Sequence, residues 1–364
     1  IKCTSIMQAD FTRYSCQLAL PGFDEATQER LQHAKVLIAG AGGLGCPAAL
    51  YLAASGVGII GIADYDTVSM SNLHRQVLYS PAEIGLKKAY VSYDKLRQQN
   101  PSISVIPHDI RITAENVMDL IMSYDMVLDC TDNFETKFLL NDACVLAKKP
   151  LVYGAIYQYE GQAAMWNVLN ADGTYSPNYR DVFPEVNSLV IPNCTDGGVM
   201  PTLAGIIGCI QANEVIKYFT NSGEILAGKL LMLDAASMLS RIIKTGTTTK
   251  THITALPKIE AVPVITTDEL KKEIDNNIYE LIDVRTSLEH SLYNIGGKNF
   301  PLDEIEKNTH ELDPGKPIVL YCSTGKRSGE AVKFISNKFP ALNIFSLEGG
   351  LLEWDKTETP ITSL

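Results

Sequence analysis

The chain has 364 residues, 46% of them hydrophobic and 20% charged, with a formal net charge of −11. That is enough apolar material for a large core, and the length suits two domains rather than one. The acidic balance argues against nucleic acid or an anionic membrane as the main partner, while leaving room for a local basic site for phosphate.

Cysteines stand at positions 3, 16, 46, 130, 144, 194, 209 and 322 with no C-x-x-C pair. This spacing argues against a disulfide scaffold and for a reducing compartment, so a cytoplasmic location is expected. The longest apolar stretch, around 199–212, contains Pro201 and several glycines and is too short to span a bilayer. No signal peptide is legible.

In chain order, Lys35-Val36-Leu37-Ile38-Ala39 is short, apolar and β-branched, and reads as a buried parallel strand. It runs into Gly40-Ala41-Gly42-Gly43-Leu44-Gly45, where Gly40, Gly42, Gly43 and Gly45 form a phosphate-cradling turn at the start of a helix over 46–55. A second strand over 59–63 ends in Asp64, about 20 residues past the glycines, where an acidic side chain accepts from ribose hydroxyls. Helices over 87–99 and 114–123 alternate with strands over 105–108 and 126–128, and a strand over 151–153 precedes a hairpin-like stretch around 161–169. This alternation predicts a Rossmann-like α/β fold with a mostly parallel sheet, ending near Ile243.

Residues 244–263 are Thr-rich with two prolines, the composition of a linker. We divide the chain at 1–245, a linker at 246–263 and a second domain at 264–364. The second domain reads as helix 267–276, strands 279–283 and 318–321, a cysteine loop, helix 329–338 and strand 343–346, again α/β.

A glycine turn alone would favour a nicotinamide-dependent dehydrogenase. Further residues shift the balance: Asn72-Leu73-His74-Arg75-Gln76, then Gly85-Leu86-Lys87-Lys88, then Asp129-Cys130-Thr131-Asp132-Asn133 at a strand end. Arg75 and Lys88 can neutralise triphosphate oxygens and Asp132 can hold a bridging Mg²⁺, which is the equipment of ATP chemistry. Taken singly, each reads as a solvated charge, and Asp132-Asn133 as a helix cap.

Together, in this order after the turn, they resemble the MoeB/ThiF group of adenylyltransferases, relatives of the ubiquitin-activating enzymes, from Arg13 to about Arg241. The stretch Asp64-Tyr65-Asp66-Thr67-Val68-Ser69 is part of the likeness. The resemblance implies ATP and Mg²⁺ as cofactors, Asp64 on ribose, Arg75 and Lys88 on phosphates and Asp132 on Mg²⁺, with Asp66, Asn72 and Arg13 also at the nucleotide. It further implies a homodimer that adenylates the C-terminal Gly-Gly of a ubiquitin-like sulfur carrier. Cys194, in Pro192-Asn193-Cys194-Thr195-Asp196-Gly197-Gly198, matches the family's crossing-loop cysteine, which attacks the acyl-adenylate or joins a persulfide intermediate. Its plain alternative is a buried structural thiol. Cys46, Cys130, Cys144 and Cys209 are assigned to the core.

Two departures stand out. Where the family has R-Y-x-R-Q, this chain reads Arg13-Tyr14-Ser15-Cys16-Gln17, so Cys16 removes a charge that relatives send to the partner's ATP. Where relatives hold structural zinc through two C-x-x-C pairs, this chain has Asn178-Tyr179-Arg180-Asp181 and Lys244-Thr245-Gly246-Thr247-Thr248, and no zinc is expected.

In the second domain, Cys322-Ser323-Thr324-Gly325-Lys326-Arg327-Ser328 lies between a strand and a helix, so its sulfur sits among backbone amides that favour an anion, and Arg327 is expected to add positive charge. The loop, with Leu281-Ile282-Asp283-Val284-Arg285, Asn299-Phe300-Pro301-Leu302 and Leu347-Glu348-Gly349-Gly350-Leu351, resembles a rhodanese-like domain, which implies a transferable persulfide on Cys322. Tyrosine phosphatases also place an Arg after a loop cysteine, but with five residues between them where Cys322 and Arg327 have four.

The combined reading is ATP-dependent adenylation of a carrier followed by sulfur transfer from Cys322, serving molybdopterin, thiamin or a related thiolation pathway. A cysteine desulfurase or another donor supplies the sulfur. The alternatives are a catalytically weakened carrier-binding scaffold, which Cys16 permits, and the dehydrogenase. Restoring the charge with Cys16→Arg is expected to raise the adenylation rate measured by pyrophosphate release, and an unchanged rate would contradict that role for position 16.

Overall fold

The computed structural model describes residues 11–183, 198–256, 262–276 and 278–358, which fold as two compact units dividing near residue 258.

The first unit begins with α1 (Glu25–His33), capped by Asp24, whose Oδ1 accepts from the Thr27 amide at 2.8 Å. Then follow β1 (Lys35–Ala39), α2 (Gly45–Ser55), β2 (Ile59–Ala63), α3 (Lys88–Gln99), β3 (Ser104–His108), α4 (Val117–Met122), β4 (Met126–Asp129), α5 (Phe134–Leu146), β5 (Leu151–Tyr157) and β6 (Glu160–Trp166). After residue 197 come α6 (Pro201–Thr220), β7 (Lys229–Asp234) and β8 (Leu239–Lys244).

These eight strands make one sheet in the order β3-β2-β1-β4-β5-β6-β7-β8. The run from β3 to β5 is parallel and the last three pairings are antiparallel. The expected mostly parallel Rossmann-like sheet is thus present, with an antiparallel tail. β1 and β4 are buried along nearly their whole length, as apolar strands covered on both faces must be. The chain runs outward from β1 to β3 and then returns to the other side of β1 as β4, so the switch point of the topology lies between β1 and β4, where α/β sheets bind ligands beyond the strand ends.

The hairpin differs from the sequence expectation. It pairs Leu151–Tyr157 with Glu160–Trp166 around Gln158 and Tyr159, so residues 151–153 form its first arm and not a separate strand. Gln158 takes a left-handed φ of 50° to turn the chain. Among the four cysteines assigned to the core, Cys209 is the exception: it is half-buried on α6, while Cys46, Cys130 and Cys144 are buried.

The second unit contains β9 (Val264–Ile265), α7 (Thr267–Glu273), β10 (Glu280–Asp283), α8 (Ser287–Leu292), β11 (Lys298–Asn299), β12 (Ile318–Tyr321), α9 (Lys326–Lys338), β13 (Ile344–Leu347) and α10 (Gly350–Glu358). Its five strands are all parallel, in the order β11-β10-β12-β13-β9. The central β12 is fully buried and delivers Cys322 directly to the N-terminal end of α9. Among the described residues no helix is long and apolar enough to cross a membrane.

Candidate functional sites

At the switch point, the glycine turn is shaped by close approaches. Gly40 has a φ of 95°, and a Cβ there would lie 2.8 Å from the Cys130 carbonyl oxygen, so only glycine lets β1 and β4 end side by side. Ala41 is gripped at both backbone groups. Its amide donates to Asp64 Oδ2 at 2.8 Å, and its carbonyl accepts from Tyr79 Oη at 2.9 Å and, more weakly, from Cys46 Sγ at 3.5 Å. Asp64 also accepts the Asp66 amide at 2.8 Å. Burial raises the Asp64 carboxyl above its ordinary value, the neighbouring Lys88 charge working against that.

Lys88 is buried at the start of α3, and its Nζ lies 3.2 Å from Oδ2 of the exposed Asp66. In this structure the ammonium expected on phosphate therefore faces a carboxylate. Arg75 stands over the turn, its Cδ 3.5 Å from where a Gly43 side chain would begin, and its Nη1 meets His74 Nε2 at 3.1 Å. Asn72 accepts from Ser69 Oγ at 3.0 Å, and its carbonyl takes the amides of Arg75 and Gln76. Gln76 is buried, with Nε2 3.6 Å from the Cβ position of Gly42, and its Oε1 has no partner among the described residues. An orphaned buried acceptor beside a side-chain-free turn fits a polar group seated on that turn.

Asp132 is exposed at the end of β4, and Asn133 caps α5 through the Thr136 amide at 2.8 Å. What holds this corner is a pair that the sequence reading did not single out. Lys137 Nζ lies 3.1 Å from Asp129 Oδ2 and donates to the Gly154 carbonyl at 2.8 Å, both side chains being buried. Asp129 Oδ1 in turn accepts the Thr131 amide and hydroxyl at 3.0 and 2.6 Å, which fixes the turn that presents Asp132. Removing one partner of such a buried pair costs about 3–5 kcal/mol. Its only sequence trace is an acid at a strand end and a lysine eight positions on.

Arg13 is exposed and adjoins Tyr14, whose buried ring packs on Gly56 at the far end of α2, one helix length of roughly 16 Å from the glycine turn. The structure does not bring Arg13 to its own turn. Cys16 is exposed. Cys194 lies outside the described residues. Burial pushes the Cys46 thiol up to about 12 and raises those of Cys130 and Cys144 as well, which suits inert core thiols. Beside Arg75 a cavity of about 690 Å³ is lined by His74, Val77, Ile206 and Cys209 among others.

Where zinc-binding relatives carry cysteines, Asn178 and Asp181 bracket a one-turn helix, Tyr179–Val182. Asp181 Oδ1 accepts the amides of Lys250 and Thr251 at 2.9 Å each and the Thr251 hydroxyl at 2.7 Å, while Oδ2 accepts the Thr249 hydroxyl at 2.7 Å. Asn178 Nδ2 donates to the same Thr249 oxygen at 2.8 Å. The Thr-rich stretch is thus held to the first unit by hydrogen bonds. Among the described residues, no group of three or more His, Cys, Asp or Glu side chains could hold a metal ion.

In the second unit, Cys322 is buried, and its Sγ accepts from the Gly325 amide at 3.1 Å and, more weakly, from Ser328 Oγ at 3.6 Å. The loop is fastened from behind: the amides of Leu351 and Leu352 donate to the carbonyls of Cys322 and Ser323 at 2.9 and 3.0 Å, and Ser328 Oγ meets Ser346 Oγ at 2.8 Å. Thr324 and Lys326 are exposed on the loop. Arg327, expected to add positive charge, has its guanidinium paired with Glu289, Nη2 to Oε1 at 2.7 Å. The groups that donate to the sulfur are the Gly325 amide and the Ser328 hydroxyl.

Comparison with known proteins gives a family for each unit. A family model described as the ThiF family matches residues 14–253, and one described as a rhodanese-like domain matches residues 266–357. The chain is 38% identical to the probable adenylyltransferase/sulfurtransferase MoeZ of Mycobacterium tuberculosis, over 98% of this chain and 96% of that protein. It is 37% identical to the adenylyltransferase and sulfurtransferase MOCS3 of Drosophila grimshawi, over 95% of this chain and 84% of that protein. Among solved structures, E. coli MccB matches with a TM-score of 0.59 at 20% identity, over 70% of this chain and 75% of that one, a likeness of fold. These relatives do not favour the dehydrogenase or the inactive scaffold.

The Asp181 cluster gives a pH prediction. Burial alone would raise its carboxyl, but hydrogen bonds from Thr251, Thr249 and the amides of Asn178 and Lys250 outweigh this and hold it below the ordinary range. A carboxyl lowered in the folded state stabilises fully above its unfolded value, about 3.9, and that contribution is lost as pH falls through the folded value. Melting curves should show Asp181→Asn less stable by about 1 kcal/mol at neutral pH and flatter than the parent toward acid. A chelator should leave the parent's Tm unchanged, and a chelator-induced drop would contradict a metal-free clasp.

Proposed function

The chain belongs to the ThiF family, carries a rhodanese-like domain behind it and is an adenylyltransferase and sulfurtransferase. From that premise we propose that its acyl substrate is the C-terminal Gly-Gly carboxylate of a ubiquitin-like sulfur carrier, released as a thiocarboxylate. The observation that carries the reading is Cys322. A nucleophilic sulfur seated against the Gly325 amide, in the same chain as a nucleotide turn, has no task in adenylation alone.

In the proposed reaction, the carrier carboxylate attacks the α-phosphate of ATP, pyrophosphate leaves and an acyl-adenylate forms. No side-chain base is needed, since the carboxylate is already ionised. The enzyme contributes position and charge neutralisation. Gly42 and Gly43 admit the phosphates, Gln76 donates to them through Nε2 while its unpaired amide oxygen accepts from a hydroxyl or water, and Asp64, with Asp66 and Asn72 beside it, serves the ribose. Arg75 and Lys88 serve the phosphates, Lys88 exchanging Asp66 for a phosphate oxygen. Asp132 would hold Mg²⁺, which when bound supplies charge neutralisation between phosphate oxygens. Because Arg13 lies at the far end of α2, a cation from the N-terminal segment comes from a second copy, and a homodimer is proposed for that reason.

The terminal sulfur of a Cys322 persulfide then attacks the acyl carbonyl, and AMP leaves with the electron pair. Cys194 is proposed to attack the Cys322 sulfur next: the S–S bond to the acyl group breaks, the thiocarboxylate leaves with the electron pair, and the Cys194–Cys322 disulfide that forms is reduced by an external dithiol before the next turnover. A cysteine desulfurase or a comparable donor would load Cys322. Molybdopterin and thiamin synthesis, or another thiolation pathway, are the proposed consumers.

Mass spectrometry of a Gly-Gly-ended carrier after incubation with enzyme, ATP and a persulfide source tests this. Oxygen-to-sulfur exchange at the carrier terminus is expected with the parent and is expected to vanish with Cys322→Ala while AMP formation continues. Undiminished thiocarboxylate from Cys322→Ala would overturn the role given to the second domain.

A further inference from the structure

The mouth of the cysteine loop carries a charge balance that sulfur transfer by itself does not call for. Arg327 Nη1 donates to Glu289 Oε2 at 2.8 Å and Nη2 to Oε1 at 2.7 Å, fork on fork, and Nη2 also reaches Ser323 Oγ at 3.2 Å. One guanidinium thereby spans the loop from the first residue after Cys322 to the fifth. Glu289 stands on a different element, α8, and is fixed there: the Thr286 amide and hydroxyl donate to its Oε2 at 3.0 and 2.9 Å. The Arg327 guanidinium beside it, with the Thr286 contacts, holds the Glu289 carboxyl down to about 2, so the pair stays charged at any working pH. A bidentate pair anchored at both ends has little entropy left to lose and is among the stronger surface ion pairs.

We propose that Glu289 is a specificity-determining residue of sulfur transfer. By cancelling the charge of Arg327 at the loop mouth, it leaves exposed Lys326 as the loop's remaining cation, weakens the cationic rim that a free anionic donor such as thiosulfate would need, and favours persulfides brought by a carrier molecule. The proposal rests on the sulfurtransferase activity of the second unit. The covalent step is the same for either donor. The Cys322 thiolate attacks the outer sulfur and the donor's S–S bond breaks. The remainder then leaves with the electron pair, as sulfite from thiosulfate or as a thiolate from a persulfide. Cyanide then takes the terminal sulfur as thiocyanate and restores the thiolate. What differs is the charge the donor brings to the rim, a dianion for thiosulfate and a single negative charge on the sulfur of a persulfide.

The test is cyanide-coupled sulfur transfer by the full chain, with thiosulfate or cysteine persulfide as donor, at low and high salt. Glu289→Gln keeps the side-chain shape but leaves Arg327 uncancelled. It should lower KM for thiosulfate by at least about threefold, more than it alters kcat, and change KM for the persulfide less. Glu289→Asp, which keeps the charge, should restore the parent's KM. The parent's KM for thiosulfate, with Lys326 as the loop's remaining cation, should rise with salt less than that of Glu289→Gln. Equal thiosulfate KM values in parent and Glu289→Gln would overturn the proposal. So would a parent KM that climbs with salt as steeply as that of Glu289→Gln, with Glu289→Asp showing that the site tolerates substitution. Failure of the parent to turn over either donor would instead strike at the sulfurtransferase premise itself.

Discussion

The nucleotide site depends on the absence of side chains where β1 and β4 end together. Gly40 lies against the Cys130 carbonyl, and a Cβ on Gly45 would fall 2.0 Å from the Gly40 carbonyl oxygen. Because neither position carries one, α2 starts directly over the end of β1 and aims its unpaired amides into the space beyond the sheet. Ala41 is then pinned at its amide by Asp64 and at its carbonyl by Tyr79, so the turn is rigid before any ligand arrives. The neighbouring strand end is rigid for a different reason. A buried ion pair, Asp129 with Lys137, shapes the turn before Asp132. Such pairs add little net stability but penalise misplacement heavily, which is what a site that must hold charged groups in register requires.

The second unit solves the same electrostatic problem for sulfur. A buried strand ends, the chain turns through a glycine, and a helix begins with its amides facing an anion. In the first unit Lys88, paired with Asp66, and Arg75 stand at the turn. In the second Arg327 is paired with Glu289, and the groups that contact the sulfur are the Gly325 amide and the Ser328 hydroxyl.

Much of this was legible in sequence wherever the determining residues are contiguous. The β1 strand, the glycine turn, its helix and Asp64 form one continuous stretch, and the cysteine loop is bracketed by its own strand and helix. What escaped was decided by tertiary contact. α6 is apolar on most faces and α5 buries Lys137, Asn141 and Asp142 among its apolar residues, so both lack the one-sided pattern that marks a surface helix. Asp129 with Lys137, Asp181 with 249–251 and Glu289 with Arg327 each join different elements, and nothing local to either partner signals the other. Asp181 also shows how a missing motif can be readable without revealing what stands in its place. The missing cysteines were plain in the sequence, whereas the carboxylate clasp was not.

The central claim is that the glycine turn activates a carboxylate with ATP. ATP–pyrophosphate exchange with Gly-Gly-ended carriers, run beside Asp132→Ala, tests it most directly. The account predicts exchange that requires both the carrier and Asp132. Exchange without any carrier, or undiminished in Asp132→Ala, would contradict it, as would no exchange with any carrier.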